Sequence, residues 1–353
     1  MPAKLLYISL SDGTDTRVTK EVETLARCFD VTFIGIVRDE PRTSLLPSDV
    51  KQYYLRGGRH SPALYLSMFR LIYQLRPGSF DSVHVINENL FLIFSPLLLS
   101  AKNVVLDVFD SSFLKNSFIW KFSEYFIRAF IHSASDVVFV TDSNRLNLVP
   151  LIYRANSFVL PNYPKKYKEK FPRRKVGADA PLRVFFSGSL SRGRGVDFLI
   201  RMLDQEADME VSAAGWIYDD SVRQLLAHPR VKYHGVVSSE EAARLACLCD
   251  YILCLYEPNS ANNINASPNK IYDAALTGVP VIINSEIKPA EFVRLHQLGV
   301  IIDSYYNFCP QTVSGELRRF RSHSLRDTTN HDSFSWDSVE GRLVSAHKGY
   351  FPS

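Results

Sequence analysis

The chain has 353 residues, 46% of them hydrophobic and 22% charged, close to ordinary globular usage, which excludes a fibrous or intrinsically disordered protein. That length is more than one core comfortably fills and suits two domains. A formal net charge of +4 is too small to argue for a nucleic-acid partner, although a mildly basic surface is compatible with phosphate ligands or an anionic membrane face.

The five cysteines, Cys28, Cys247, Cys249, Cys254 and Cys309, show no zinc-ligand or redox spacing, and an odd count argues against a disulfide framework. A reducing, cytoplasmic compartment is the expectation. Leu5 to Leu10 is shorter than a signal-peptide core and stops at Ser11-Asp12-Gly13, as a strand stops at a turn. Further strands are expected at Val31 to Val37, Val83 to Ile86, Val104 to Phe109, Val137 to Val140 and Phe158 to Leu160, with helices between most of them. The apolar run Leu90 to Ala101 is broken by Pro96 and falls short of the roughly 20 residues a membrane span needs, so no transmembrane segment is expected. A helix over Phe113 to His132 places Leu114, Phe118, Phe122, Phe126 and Phe130 at four-residue intervals. Such a stripe reads as core, or as a shallow membrane contact through residues such as Trp120.

Tyr163 to Lys175 carries seven basic residues and two prolines, a linker by composition and a solvated surface unless it meets phosphate or an anionic membrane. Strand patterns then restart at Leu182 to Phe186, Glu210 to Ala214, Val231 to Val237, Tyr251 to Leu255, Val279 to Ile283 and Val300 to Ile302. The fold class is α/β, with two doubly wound halves whose ligands should lie at strand carboxyl ends. The expected boundaries are 1–165 for a first domain, 166–180 for the linker and 181–333 for a second domain. Residues 334–353, with Trp336, should return to pack on the first.

The sharpest local signal is Ser267-Pro268-Asn269-Lys270-Ile271-Tyr272-Asp273, followed by Gly278 and Pro280, which reads as a turn, a proline-started helix, a glycine stop and a buried strand. The amide groups and positive dipole end of that helix favour an anion near Ser267 to Lys270, while Asp273 is placed to accept hydrogen bonds from hydroxyls. A nucleotide sugar offers both. Upstream, Ser187-Gly188-Ser189-Leu190-Ser191-Arg192-Gly193-Arg194-Gly195 joins a strand to a helix, with glycines that admit a pyrophosphate and arginines whose forked donors suit phosphate oxygens.

The segment from Ser267 to Val281 closely resembles the donor-site signature of the retaining glycosyltransferases of family 4, with Asp273 where that family usually has Glu. The resemblance runs from Asp15 and Arg17 through Val159-Leu160-Pro161-Asn162 to Trp336. It implies the GT-B architecture, two Rossmann-like domains facing across a cleft, and transfer of a sugar from a UDP- or GDP-linked donor to a glycan or lipid-linked acceptor. It further implies retention of configuration, no bound metal or other cofactor, and a role at the cytoplasmic membrane face in cell-surface polysaccharide or glycoconjugate synthesis.

Carried over position by position, the resemblance makes Arg194 and Lys270 the catalytic cations that neutralise the diphosphate. Gly188, Ser189, Arg192, Val236, Asn265, Ser267, Pro268, Asn269 and Asp273 complete the donor site. Asn265 stands where the family has its first acid, and Ser189 where it has an arginine, for which Arg192 is a substitute within the spacer. On the acceptor side it points to Gly13, Arg17, Asp107 and Asp110, with Asp110 orienting the acceptor or taking its proton. Phe109 stands where family members often have His. The alternatives are a sugar-nucleotide epimerase of the same architecture or a non-catalytic nucleotide-sugar-binding subunit.

Overall fold

The computed structural model describes residues 2–37, 44–58, 61–109, 111–114, 124–167, 171–172, 180–322 and 331–350. The chain forms two compact units, Met1–Asn162 with Asp337–Ser353, and Tyr163–Trp336.

The first unit holds seven strands: β1 (Ala3–Ile8), β2 (Phe29–Val37), β3 (Lys51–Arg56), β4 (Ser82–Ile86), β5 (Val104–Val108), β6 (Val137–Val140) and β7 (Ser157–Val159). They form a parallel sheet in the order β3-β2-β1-β4-β5-β6-β7. Leu5, Leu6, Tyr7 and Ile8 of β1 are all fully buried, as a central parallel strand covered on both faces requires. The edge strand β3 escapes the sequence reading because Lys51-Gln52-Tyr53-Tyr54-Leu55-Arg56 is only half-buried and carries charge at both ends, the mark of a protected edge.

The second unit contains β8 (Leu182–Leu190), β9 (Met209–Ile217), β10 (Val231–Tyr233), β11 (Tyr251–Leu253), β12 (Val281–Asn284) and β13 (Gly299–Ile302). Their order is β10-β9-β8-β11-β12-β13, again all parallel. Alternate residues of β8 feed two cores. Leu182, Val184 and Phe186 pack with Leu199, Met202 and Leu203 on one face, whereas Phe185 packs with Ile271, Ala274 and Ala275 on the other. In both sheets the winding reverses at one point, between β1 and β4 in the first and between β8 and β11 in the second, and ligands of doubly wound sheets bind at such points.

Two sequence expectations need correction. Trp336 belongs to the second unit, where its N–H bonds the Pro164 carbonyl at 2.8 Å and the neighbouring Phe334 packs edge-on against Tyr163 and Phe292. The first unit takes only Asp337–Ser353, which includes the helix Glu340–His347. The phenylalanine stripe is not simply core. A helix covers Glu124–Ala134, and Phe126 and Phe130 on it are 73% and 40% exposed, while Phe118, Trp120 and Phe122 lie outside the described residues. No helix among the described residues is long and apolar enough to cross a membrane.

Candidate functional site

The loops that leave β8 and β11 lie side by side at the switch point of the second sheet. Beyond β8 the chain makes a short turn at Arg192–Arg194 and enters the helix Val196–Gln205 through Gly195. A side chain on Gly195 would stand 3.0 Å from Leu253 Cδ2 and 3.1 Å from Leu255 Cδ1, so glycine there lets the turn press onto β11. The Glu257 N–H donates to the Gly193 carbonyl at 2.9 Å, and the Arg194 guanidinium stacks 3.5 Å above the Tyr256 ring.

The helix Asn269–Thr277 brings its amino end to the same place. Pro268 is its N-cap, one position earlier than a first-turn proline, and it ends at Gly278, whose N–H bonds the Ala274 carbonyl at 2.8 Å. Ile271, Tyr272, Ala274 and Ala275 anchor its buried face. The Lys270 ammonium lies 3.5 Å from the point that a Cβ on Gly188 would occupy. Burial lowers the Lys270 pKa, and the nearby Arg194 charge lowers it further. Neither cation forms an ion pair or hydrogen bond with a carboxylate among the described residues. Arg194 Nη1 and the Ser267 hydroxyl are both buried without a hydrogen-bond partner. Two cations and an orphaned hydroxyl thus gather at a helix amino end, where the backbone N–H groups and the helix dipole favour an anion.

Other expected donor residues are placed differently. Arg192 points outward, 72% exposed, and pairs with Asp197 at 2.8 Å, so its charge is engaged at the surface and Arg194 alone of the pair lines the site. Asn265 closes the short helix Ala261–Ile264 by donating its amide to the Ala261 carbonyl at 2.9 Å, a bond that a carboxylate could not make. The polar stretch 257–267 is thus partly helical, with Ser260 Oγ accepting from the Asn263 N–H. Asp273 Oδ1 accepts from the Tyr167 hydroxyl at 3.4 Å. Ser189, Asn269 and Val236 are exposed and Pro268 is buried. Tyr256 was not singled out from sequence; its signal is that it lies three residues beyond the carboxyl end of β11.

In the first unit, Arg17 and Asp107 come together from 90 residues apart, but as an internal pair. Arg17 donates through Nε and Nη2 to the two Asp107 oxygens at 2.7 and 2.8 Å and through Nη1 to the Leu160 carbonyl at 3.1 Å, and both side chains are buried. Glu21 lies 2.9 Å from Arg17 Nε and accepts from the Tyr7 hydroxyl at 2.6 Å. This corrects the expectation that Arg17 and Asp107 face an acceptor, because three of the five guanidinium N–H groups are spent on Asp107 and the Leu160 carbonyl and both side chains are shut away from solvent. Gly13 is likewise buried, and a side chain there would meet Ser44 Oγ at 2.6 Å and Tyr54 Oη at 2.7 Å. Asp110 lies outside the described residues. Glu21, His84 and Asp107 approach closely enough to share a cation, and the Arg17 guanidinium, hydrogen-bonded to Asp107 and 2.9 Å from Glu21, supplies that charge.

His84 stacks on Tyr7 at 4.5 Å and contacts His347 at 3.0 Å, and His347 in turn meets Ser82 Oγ at 2.7 Å, tying the C-terminal helix to the sheet. Burial holds His84 down to about 4 and depresses His347 as well. An unfolded histidine binds its proton near 6.5, so between about 6.5 and 4 the unfolded chain takes up protons that the fold refuses, and these histidines lower stability as pH falls. Asp107, pushed up to about 7 by burial, acts in the opposite direction over this window. Two histidines against one carboxyl leave a net loss. Urea unfolding from pH 7 to 4.5 should show it, with a shallower slope for His347→Gln; an unchanged slope would mean that His347 is not neutral in the fold.

No protein-family model matches the chain, and no curated protein does. Solved structures do. HepE of Anabaena, in complex with UDP-glucose, superposes with a TM-score of 0.67 over 98% of this chain and 99% of its own, at 12% identity. The lipopolysaccharide outer core galactosyltransferase WaaB gives 0.61 over 98% and 97%, at 14% identity. S. aureus MnaA bound to UDP gives 0.60 over 98% and 96%, at 15% identity. At such identities the likeness establishes architecture: the chain has the GT-B fold, two Rossmann-like α/β domains each built on a parallel sheet.

Proposed function

We propose that the protein is a glycosyltransferase that takes a nucleoside diphosphate sugar as donor, the donor held by residues 181–333 and the acceptor by residues 1–165 with the C-terminal helix. The observation that carries this reading is the pair of cations, Arg194 and Lys270, without a counter-ion beside the orphaned Ser267 hydroxyl at the switch point of the second sheet. A diphosphate supplies two negative charges to such a site, and the same cations stabilise it as a leaving group without a metal. Asp273 is assigned to the ribose hydroxyls, with Tyr167 as its partner in the free protein. Asp110 is assigned to the acceptor hydroxyl. Retention of configuration and family 4 membership rest on the signature around Ser267 to Asp273. HepE, with UDP-glucose bound, is consistent with a UDP donor. The exposed Phe126, Phe130, Leu151 and Ile152 support contact with the membrane face in cell-surface glycan synthesis.

The likeness to MnaA and to a UDP-N-acetylglucosamine 2-epimerase of Listeria monocytogenes favours epimerisation as the second reading. One experiment separates them. The protein is incubated with UDP- and GDP-sugars in the presence of a chelator, with and without glycan and lipid-linked acceptors. Acceptor-dependent nucleotide release supports transfer, an epimerised nucleotide sugar supports the second reading, and release restored only by magnesium or manganese overturns the metal-free mechanism. Absence of any nucleotide-sugar binding overturns both.

A further inference from the structure

Beside the two cations, three neighbouring strands each place a glycine near or just beyond their carboxyl ends. Gly188 of β8 pairs in register with Gly215 of β9, and the Gly215 N–H donates to the Gly235 carbonyl just beyond β10 at 2.8 Å. At Gly215, where φ is +139°, a Cβ would stand 1.9 Å from the Gly188 carbonyl oxygen, so only glycine lets these backbones meet; above Gly235 a Cβ would find nothing within 4 Å. The result is a bare backbone floor whose Gly188 end borders the Lys270 ammonium. The next residue in register, opposite Ser189, is Trp216, and its indole is 51% exposed; Val236, following Gly235, is 56% exposed. Tryptophan is normally well covered, and a half-bare indole at the carboxyl end of a strand is where a doubly wound sheet meets its ligand.

We propose that Trp216 is a donor-binding residue that stacks on the nucleobase of the donor, beside the floor formed by Gly188, Gly215 and Gly235. This rests on the diphosphate reading of Arg194 and Lys270, because the floor begins where those charges end. A ligand with a doubly charged group at one end and a flat, weakly polar ring at the other matches the order of features, and an indole offers any base a π face without choosing among them. The base itself is then distinguished by the backbone groups around Gly235 and Val236.

Titration calorimetry with UDP, GDP, the matching nucleosides and inorganic pyrophosphate tests this. Trp216→Ala should weaken the preferred nucleoside diphosphate and its nucleoside by roughly 10- to 100-fold while leaving pyrophosphate affinity unchanged, and Trp216→Phe should restore most of the loss. The nucleotide should also quench tryptophan fluorescence in the wild type and not in Trp216→Phe. Unchanged nucleotide affinity in folded Trp216→Ala, or equal weakening of pyrophosphate, would overturn the assignment and leave the diphosphate reading standing. If the wild type binds neither pyrophosphate nor any nucleotide, both fall.

Discussion

Asp107→Ala is expected to lower the stability of the protein by about 3 to 5 kcal/mol, because it leaves the Arg17 guanidinium buried without the carboxylate that accepts two of its hydrogen bonds. Glu21 offsets part of this, since its carboxylate already lies 2.9 Å from Arg17 Nε. The double variant Arg17→Met with Asp107→Leu removes both charges and should recover most of the loss, since an apolar pair of similar volume has no desolvation to repay. Urea unfolding of Arg17→Met, Asp107→Leu and their combination closes the cycle. A loss below about 1 kcal/mol for Asp107→Ala, the range of an exposed pair, would mean that Arg17 reaches solvent and would reopen its assignment to an acceptor.

Arg194→Ala and Lys270→Ala should each weaken binding of a nucleoside diphosphate by about 10- to 100-fold, the equivalent of losing one charge-assisted hydrogen bond, and change nucleoside binding little. The free proteins should move the other way. The Arg194 charge and burial both disfavour the Lys270 ammonium, so Lys270→Met should raise the unfolding midpoint of the unliganded chain. Calorimetry and thermal unfolding read the two effects separately. Equal losses for nucleoside and nucleoside diphosphate would remove these cations from the phosphate site.

Much of this architecture is legible without coordinates. Leu5 to Leu10, Val137 to Val140 and Tyr251 to Leu255 announce buried parallel strands because such strands need unbroken apolar runs, and that signal is local. The helix after Ser267 is equally local, since Pro268 is favoured at a helix start and Gly278 at its end. The strand Lys51–Arg56 is not legible, because an edge strand is half solvated and its alternation is diluted by charge.

The sequence by itself determined that the chain is α/β, that strands and helices alternate through two halves, and that Lys270 opens a helix after a turn, because propensity, capping and hydrophobic period act over a few residues. Only the tertiary structure decided which charges are engaged. Arg192 and Arg194 are near-equivalent in a list of residues, yet the turn between β8 and the next helix sends one to Asp197 in solvent and folds the other over Tyr256. Arg17 and Asp107 read as two polar residues near strand ends until the sheet brings them together across 90 positions and buries them. Trp216 gains meaning only from the neighbouring strands, with Ser189 opposite it in register and Gly235 bonded to the adjoining Gly215. Pairing of this kind depends on which backbones meet, and contacts between residues distant in the chain leave no period or spacing in the sequence from which they could be read.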